Sequence, residues 1–150
     1  MILPITLTLA GAAAILHIWL ASRVVRIRNA LKVGVGDGGN EAVLRRMRAH
    51  ANYAENMPIF LILIGLIELA GGDRRILWAA GIAFILARIA HAFGMDGALR
   101  LRIIGMVAST AVILGLAIWA LSFAYRTPAP APRGIIIDSG RTAAAPQPRI

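Results

Sequence analysis

Residues 41–70 read EAVLRRMRAHANYAENMPIFLILIGLIELA, and the two halves of this stretch differ in kind. Up to Glu55 it is basic and polar; from Met57 to Ala70 it is almost wholly apolar. A run of this length predicts one membrane-crossing helix entered through a charged collar, since roughly 20 helical residues span a hydrocarbon core of about 30 Å. Pro58 does not argue against the helix, because packed membrane helices tolerate proline where neighbouring groups satisfy the freed carbonyl.

Three further apolar segments lie outward from this one, at about 2–22, 75–94 and 103–124, with the quoted span itself covering about 42–70. Each is long enough to cross as a helix, and in lipid every backbone N–H and C=O needs a partner inside its own element. The expected fold is therefore all-α: an integral membrane four-helix bundle. Composition agrees, with 59% hydrophobic residues, 15% charged residues and a mean hydropathy of +0.74, outside the range of soluble domains. The first segment has no charged start and no small-residue cleavage site before a polar chain, so it is expected to be a retained helix and not a cleaved signal.

The chain has no cysteine, which removes disulfides, thiolate metal sites and a protein thiol nucleophile from consideration. No metal is expected. The net charge of +9 does not point to nucleic acid, because the basic residues flank apolar spans and no nucleic-acid fold pattern accompanies them. They point instead to orientation. Arg23, Arg26, Arg28, Lys32, Arg45, Arg46 and Arg48 surround the first connection and Arg100 and Arg102 the third, against Arg74 and Arg75 at the second. Lys and Arg near helix ends favour the cytoplasmic side, so both termini are expected on the non-cytoplasmic side, as in a bacterial inner-membrane protein.

Gly34, Gly36, Asp37, Gly38 and Gly39 cannot continue a helix and read as a turn. A phosphate-cradling loop would need a preceding strand and a Gly-Lys-Ser/Thr ending, neither of which is present. Residues 126–150 read as a disordered Pro/Ala-rich tail containing a short apolar island, Ile135 to Ile137, which leaves residues 1–125 as the structured domain.

The chemistry concentrates in the second segment. Arg45, Arg48, Asn52 and Glu55 are spaced by three, four and three residues and so share one helix face. A carboxylate about two turns inside the membrane end needs a partner. Arg48 lies roughly 10 Å from it along the axis, so Asn52 bridging the two, or a cation from another helix, is expected. Arg88 and His91 in the third segment and Arg102 at the start of the fourth approach the same membrane face. The surplus of Arg48, Arg88 and Arg102 over Glu55 suits an anionic ligand read by arginine–carboxylate contacts. His17, in the first segment, reads as a packed, hydrogen-bonded residue.

The run from Arg45 through Arg48, His50, Asn52 and Glu55 to Pro58, after a Gly-rich loop, resembles the signature of the MAPEG family, membrane-associated proteins in eicosanoid and glutathione metabolism. Arg88-Ile-Ala-His91 and Arg102-Ile-Ile-Gly105 also match family habits, and the resemblance covers about residues 1–125, most closely that of the small bacterial members. It implies homotrimers with glutathione, as co-substrate, bound between subunits near the cytoplasmic side. Membrane lipid and a lipophilic small molecule would be the other partners. Carried over, Arg48, Asn52, Glu55, Arg88 and His91 would hold the tripeptide, and Arg102 would be the catalytic arginine that stabilises its thiolate, since a nearby cation favours the nucleophilic form. Two positions depart from the best-known members: Ala51 stands where an arginine precedes the Asn, and Met95 where an aromatic hydroxyl follows the His.

The implied activity is transfer or peroxidation with a thiol and a lipophilic electrophile. The alternative on the same scaffold is a non-catalytic trimeric membrane scaffold or lipid-binding protein with a degenerate site. A four-helix multidrug exporter is disfavoured, because such transporters rely on an embedded Glu in the first span and residues 1–22 contain no acid.

Overall fold

A computed structural model describes residues 2–126. They form four helices, α1 (Pro4–Ala30), α2 (Glu41–Leu69), α3 (Arg74–Gly94) and α4 (Leu99–Arg126), each long and apolar enough to cross a membrane. The tail from residue 127, with its apolar island, lies outside the described residues. α1 packs most extensively on α2 and α3 on α4, and α2 and α3 separate α1 from α4. Short connections make neighbouring helices antiparallel. One end of the bundle carries the 31–40 loop and the α3–α4 turn, and the other carries the start of α1, the α2–α3 turn and the end of α4.

Two helices outrun the apolar segments that mark them. α1 continues past residue 22 to Ala30 through Arg23, Arg26 and Arg28, and α4 begins at Leu99, four residues before its apolar run. Arginine is a good helix former whose stem lies along apolar surface while its head seeks polar groups, so a charged collar extends a membrane helix without breaking it. Arg28 closes the end of α1 by donating through Nε and Nη2 to Gly36 O, at 3.2 and 2.7 Å. The chain then turns through Lys32 at φ 55° and Gly36, Gly38 and Gly39, all in the left-handed region that glycine adopts without strain.

Each of the first three helix starts is capped by a carboxylate or an amide. Asn40 Oδ1 accepts from Ala42 N and Val43 N at α2, and Asp73 Oδ1 from Arg75 N and Ile76 N at α3. For α1 the cap comes from another helix: Glu68 of α2 accepts from Ile5 N at 3.0 Å and from Thr6 N and Thr6 Oγ1 at 2.8 and 2.7 Å.

The interior is a narrow seam. Ile5, Leu9, Leu16, Phe60, Ile64, Leu77 and Phe84 are buried, with Phe60 and Phe84 stacked 4.0 Å apart at the centre. Ile59, Ile62, Leu86, Val107, Leu114 and Ile118 are exposed, as suits a molecule whose outer solvent is lipid. α4 lies flush on α3 because a Cβ at Gly105 would sit 2.5 Å from both Ala87 O and His91 N, and one at Gly94 would strike the Arg102 backbone. Small residues at helix crossings of this kind let membrane helices approach closely.

Candidate functional site

Tight α3–α4 packing and the pitch of α2 bring the polar stripe and the fourth-helix arginine to one place. Arg48, Asn52 and Glu55 of α2, His91 and Met95 of α3 and its cap, and Arg102 and Met106 of α4 line a cavity of about 330 Å³, with Ala51 completing the wall. A second cavity of about 350 Å³ continues toward the loop end and shares Arg48, Met95 and Arg102 with the first. Arg48, Glu55 and Arg102 are exposed along this crevice and make no hydrogen bond or ion pair to another described residue. Arg45, the first member of the stripe, is instead paired with Glu41 at 2.6 Å, one turn back on its own helix.

Asn52 does not bridge Arg48 and Glu55. Its Oδ1 accepts from Arg88 Nη2 at 2.6 Å, tying α2 to α3. Arg88 therefore stands behind the cavity wall: it is 2% exposed, donates its other arm to Ser109 Oγ at 3.3 Å, and has no carboxylate against it among the described residues. With Oδ1 engaged by Arg88, the Asn52 side chain is fixed in the cavity wall. Glu55 is not the counter-ion of Arg88; it faces outward, open to whatever covers that side of α2. His91 is 6% exposed, and its Nδ1 is buried with no hydrogen-bond partner among the described residues. The cavity wall thus carries two guanidiniums, one carboxylate, a side-chain amide and an imidazole. This set is complementary to a zwitterion that carries more carboxylate than ammonium.

The structure places Arg48, Asn52, Glu55, His91 and Arg102 around one cavity and Arg88 behind it. Ala51 and Met95, the two positions that depart from the best-known pattern, are both on its wall, so it is more apolar on that side.

A second polar group went unread in the sequence. Arg23 of α1 is paired with Asp96 in the α3–α4 turn and donates to Ala92 O at 3.3 Å, and its guanidinium lies 4.8 Å above the Trp19 ring. Arg46 of α2 reaches the other oxygen of Asp96 at 3.2 Å and donates to Arg23 O at 3.4 Å. α1 and α2 are thereby tied to the turn that leads into α4 and its Arg102. Asp96 was the available signal: it is the acid lying between the apolar third and fourth segments, set among arginines.

Comparison with known proteins gives this geometry a lineage. The family model described as MAPEG family matches residues 6–122, most of the four-helix unit. The chain belongs to the MAPEG family. Among curated relatives it is similar to "Inner membrane protein YecN" of Escherichia coli strain K12, 30% identical over 125 residues, covering 78% of this chain and 95% of that protein. The protein of the same name from Escherichia coli O6:H1 strain CFT073 matches equally. With four apolar helices and this family membership, the chain is a multi-pass membrane protein of the MAPEG family, and the stripe on α2 lies within the matched residues.

Proposed function

We propose that the cavity binds glutathione or a related low-molecular-weight thiol, and that the protein is a membrane-bound transferase or peroxidase acting on lipophilic electrophiles. The observation that carries this reading is the convergence of Arg48, Asn52, Glu55, His91 and Arg102 on one cavity in which Arg48, Glu55 and Arg102 have no partner among the described residues. Glutathione brings two carboxylates, one ammonium and one thiol. Glu55 takes the ammonium, Arg48 and the Asn52 amide take carboxylate oxygens, and Arg102 faces the sulfur. A guanidinium beside the thiol favours its ionised form, and the thiolate is the nucleophile. The thiol proton leaves to solvent, the sulfur forms a bond to the electrophilic carbon, and the leaving group departs with the bonding electrons.

Homotrimeric assembly belongs to the same reading. An exposed carboxylate within a membrane helix is not stable against hydrocarbon, so the Glu55 face is covered by a neighbouring subunit that closes the cavity. The relative's name and the basic residues at the loop end support a bacterial inner-membrane location with both termini on the non-cytoplasmic side. A second reading, a trimeric scaffold or lipid-binding protein without catalysis, is favoured by Ala51 and Met95, which replace polar groups on the cavity wall.

Calorimetric titration of the purified protein with glutathione, γ-glutamylcysteine and cysteine distinguishes the two readings, alongside conjugation to a chloronitroaromatic. Saturable binding that is lost in Glu55→Gln, with conjugation lost in Arg102→Ala, is the expected result. If no thiol binds the wild-type protein, the thiol reading is wrong and the scaffold reading stands.

A further inference from the structure

α1 has two different flanks. Toward α2 it is closed: Tyr53 donates from its hydroxyl to Ala13 O at 2.6 Å, and the His17 ring rests against that of His50, centres 4.6 Å apart. His17 is packed in this way without the hydrogen bond expected of it, since it makes none to another described residue. Trp19 follows His17 by two residues, which sets it about 200° around the helix and so toward α3. There Ala12, Ile15, Leu16 and Trp19 of α1 and Ile85 and Ile89 of α3 line an apolar groove of about 400 Å³, open on the outer face where Ile15 is exposed. It shares no residue with the polar cavity. Trp19 is fixed at the groove's loop end, its ring 5.7 Å from that of Phe93 and under the Arg23 guanidinium.

An arginine stands over this end of the groove. Arg26 lies about two turns beyond Trp19 on the same face of α1, and its side chain folds back along the helix: Nε donates to Ser22 O at 3.3 Å and Nη2 to Ser22 Oγ at 2.9 Å. Its guanidinium is thereby held beside Ser22, about one turn above Trp19. Arg26 is exposed and has no carboxylate against it among the described residues. Arg23, one turn back, and Arg46 of α2 are both paired with Asp96. The three arginines thus have one carboxylate between them among the described residues. The remaining N–H donors of Arg26, on Nη1 and Nη2, can make a paired contact with a phosphate.

We propose that the α1–α3 groove binds an anionic phospholipid, with an acyl chain along Ile15, Leu16, Ile85 and Ile89 and the headgroup phosphate on Arg26. An apolar slot topped by an unpaired arginine matches a lipid in both its parts: basic pockets between membrane helices take acidic headgroups, and tryptophan sits at headgroup level. Net charge then selects among lipids. A zwitterionic headgroup brings an ammonium against the surplus of arginine, whereas phosphatidylglycerol brings only its negative charge. A second copy of this chain, inserted the same way up, would bring its own arginine-rich loop end against Arg26, so like charge disfavours it as the occupant.

The test reads Trp19 fluorescence in phosphatidylcholine bilayers doped with chain-brominated phosphatidylglycerol or chain-brominated phosphatidylcholine. The sequence has three tryptophans, so Trp78→Phe with Trp119→Phe in the full chain leaves Trp19 as the reporter. Brominated phosphatidylglycerol should quench with about fivefold higher relative affinity, the scale of one basic residue near an acidic headgroup, and Arg26→Gln should abolish that preference. Arg100→Gln removes the same charge from the same end of the bundle, on α4, and should leave the preference unchanged. Equal quenching by the two lipids overturns the proposal. So does a preference that survives Arg26→Gln, or one that falls equally in Arg100→Gln, which marks a diffuse surface charge. A Trp19 that neither lipid quenches overturns it too and assigns the groove to a neighbouring subunit. Should the double tryptophan substitution fail to fold, native mass spectrometry of the otherwise unchanged chain decides: phosphatidylglycerol retained by wild type and lost from Arg26→Gln is expected, and equal retention overturns the proposal.

Discussion

Arg88 meets only neutral oxygens, Asn52 Oδ1 and Ser109 Oγ, and its Nε has no partner among the described residues. A buried guanidinium without an anion costs several kcal/mol, and nothing in the packing of α3 requires one. Its contribution is to Asn52, whose side-chain amide it holds in place at the cavity wall. Replacing Arg88 by Met should therefore separate stability from binding. The melting temperature in detergent should stay level or rise, because a desolvated charge is removed and Ser109 keeps its bonds to Gly105 O and Met106 O. Affinity for glutathione should fall about tenfold, the equivalent of one well-fixed hydrogen bond of roughly 1.4 kcal/mol. A variant that melts earlier yet binds as well as wild type would assign Arg88 to the scaffold. The stripe itself was legible in the sequence, since a three–four–three spacing aligns side chains on any helix. That Asn52 turns to Arg88 was not, because its partner sits on another helix.

Individual helices are held at their ends by groups that local sequence does not advertise. α1 has no acidic residue in its first turn and no side-chain cap of its own, and Glu68 serves instead from the far end of α2. A carboxylate accepting two free N–H groups at a helix start also meets the favourable end of the helix dipole. Glu68→Ala should lower stability by about 1–2 kcal/mol, in the range of a lost N-cap, read as an earlier thermal transition. Glutathione affinity should not change, because Glu68 lies thirteen residues beyond Glu55, about 20 Å along α2. A loss of binding equal to the loss of stability would show that the two ends of the bundle are coupled. The basic extension of α1 teaches a related point: hydropathy marks where lipid begins, whereas a helix ends where its backbone finds a turn, here at Lys32 and the glycines after it.

As a whole, the molecule is asymmetric. Its loop end gathers most of the arginines and the crevice, and the face bearing Glu55 and Arg102 is left open by the single chain. Native mass spectrometry from detergent should give a trimer, and Glu55→Leu should leave it assembled, because close apolar packing and not a single carboxylate drives association of membrane helices. A monomer under mild conditions would leave Glu55 facing lipid and would overturn the shared-cavity reading. Length, apolar runs and helix spacing determined by themselves that this chain is a four-helix membrane protein with a polar stripe on its second helix. These are local properties: crossing lipid depends on consecutive residues, and a helix face depends on residues three or four apart. Only the tertiary structure decided that Arg88 serves Asn52, that Arg23 and Arg46 share Asp96, that Glu68 caps α1, and that His17 meets His50. Each of these joins different elements, and no spacing along one helix encodes the distance to another; that is set by where Gly94 and Gly105 let α4 lie on α3 and where Tyr53 fixes α2 to α1.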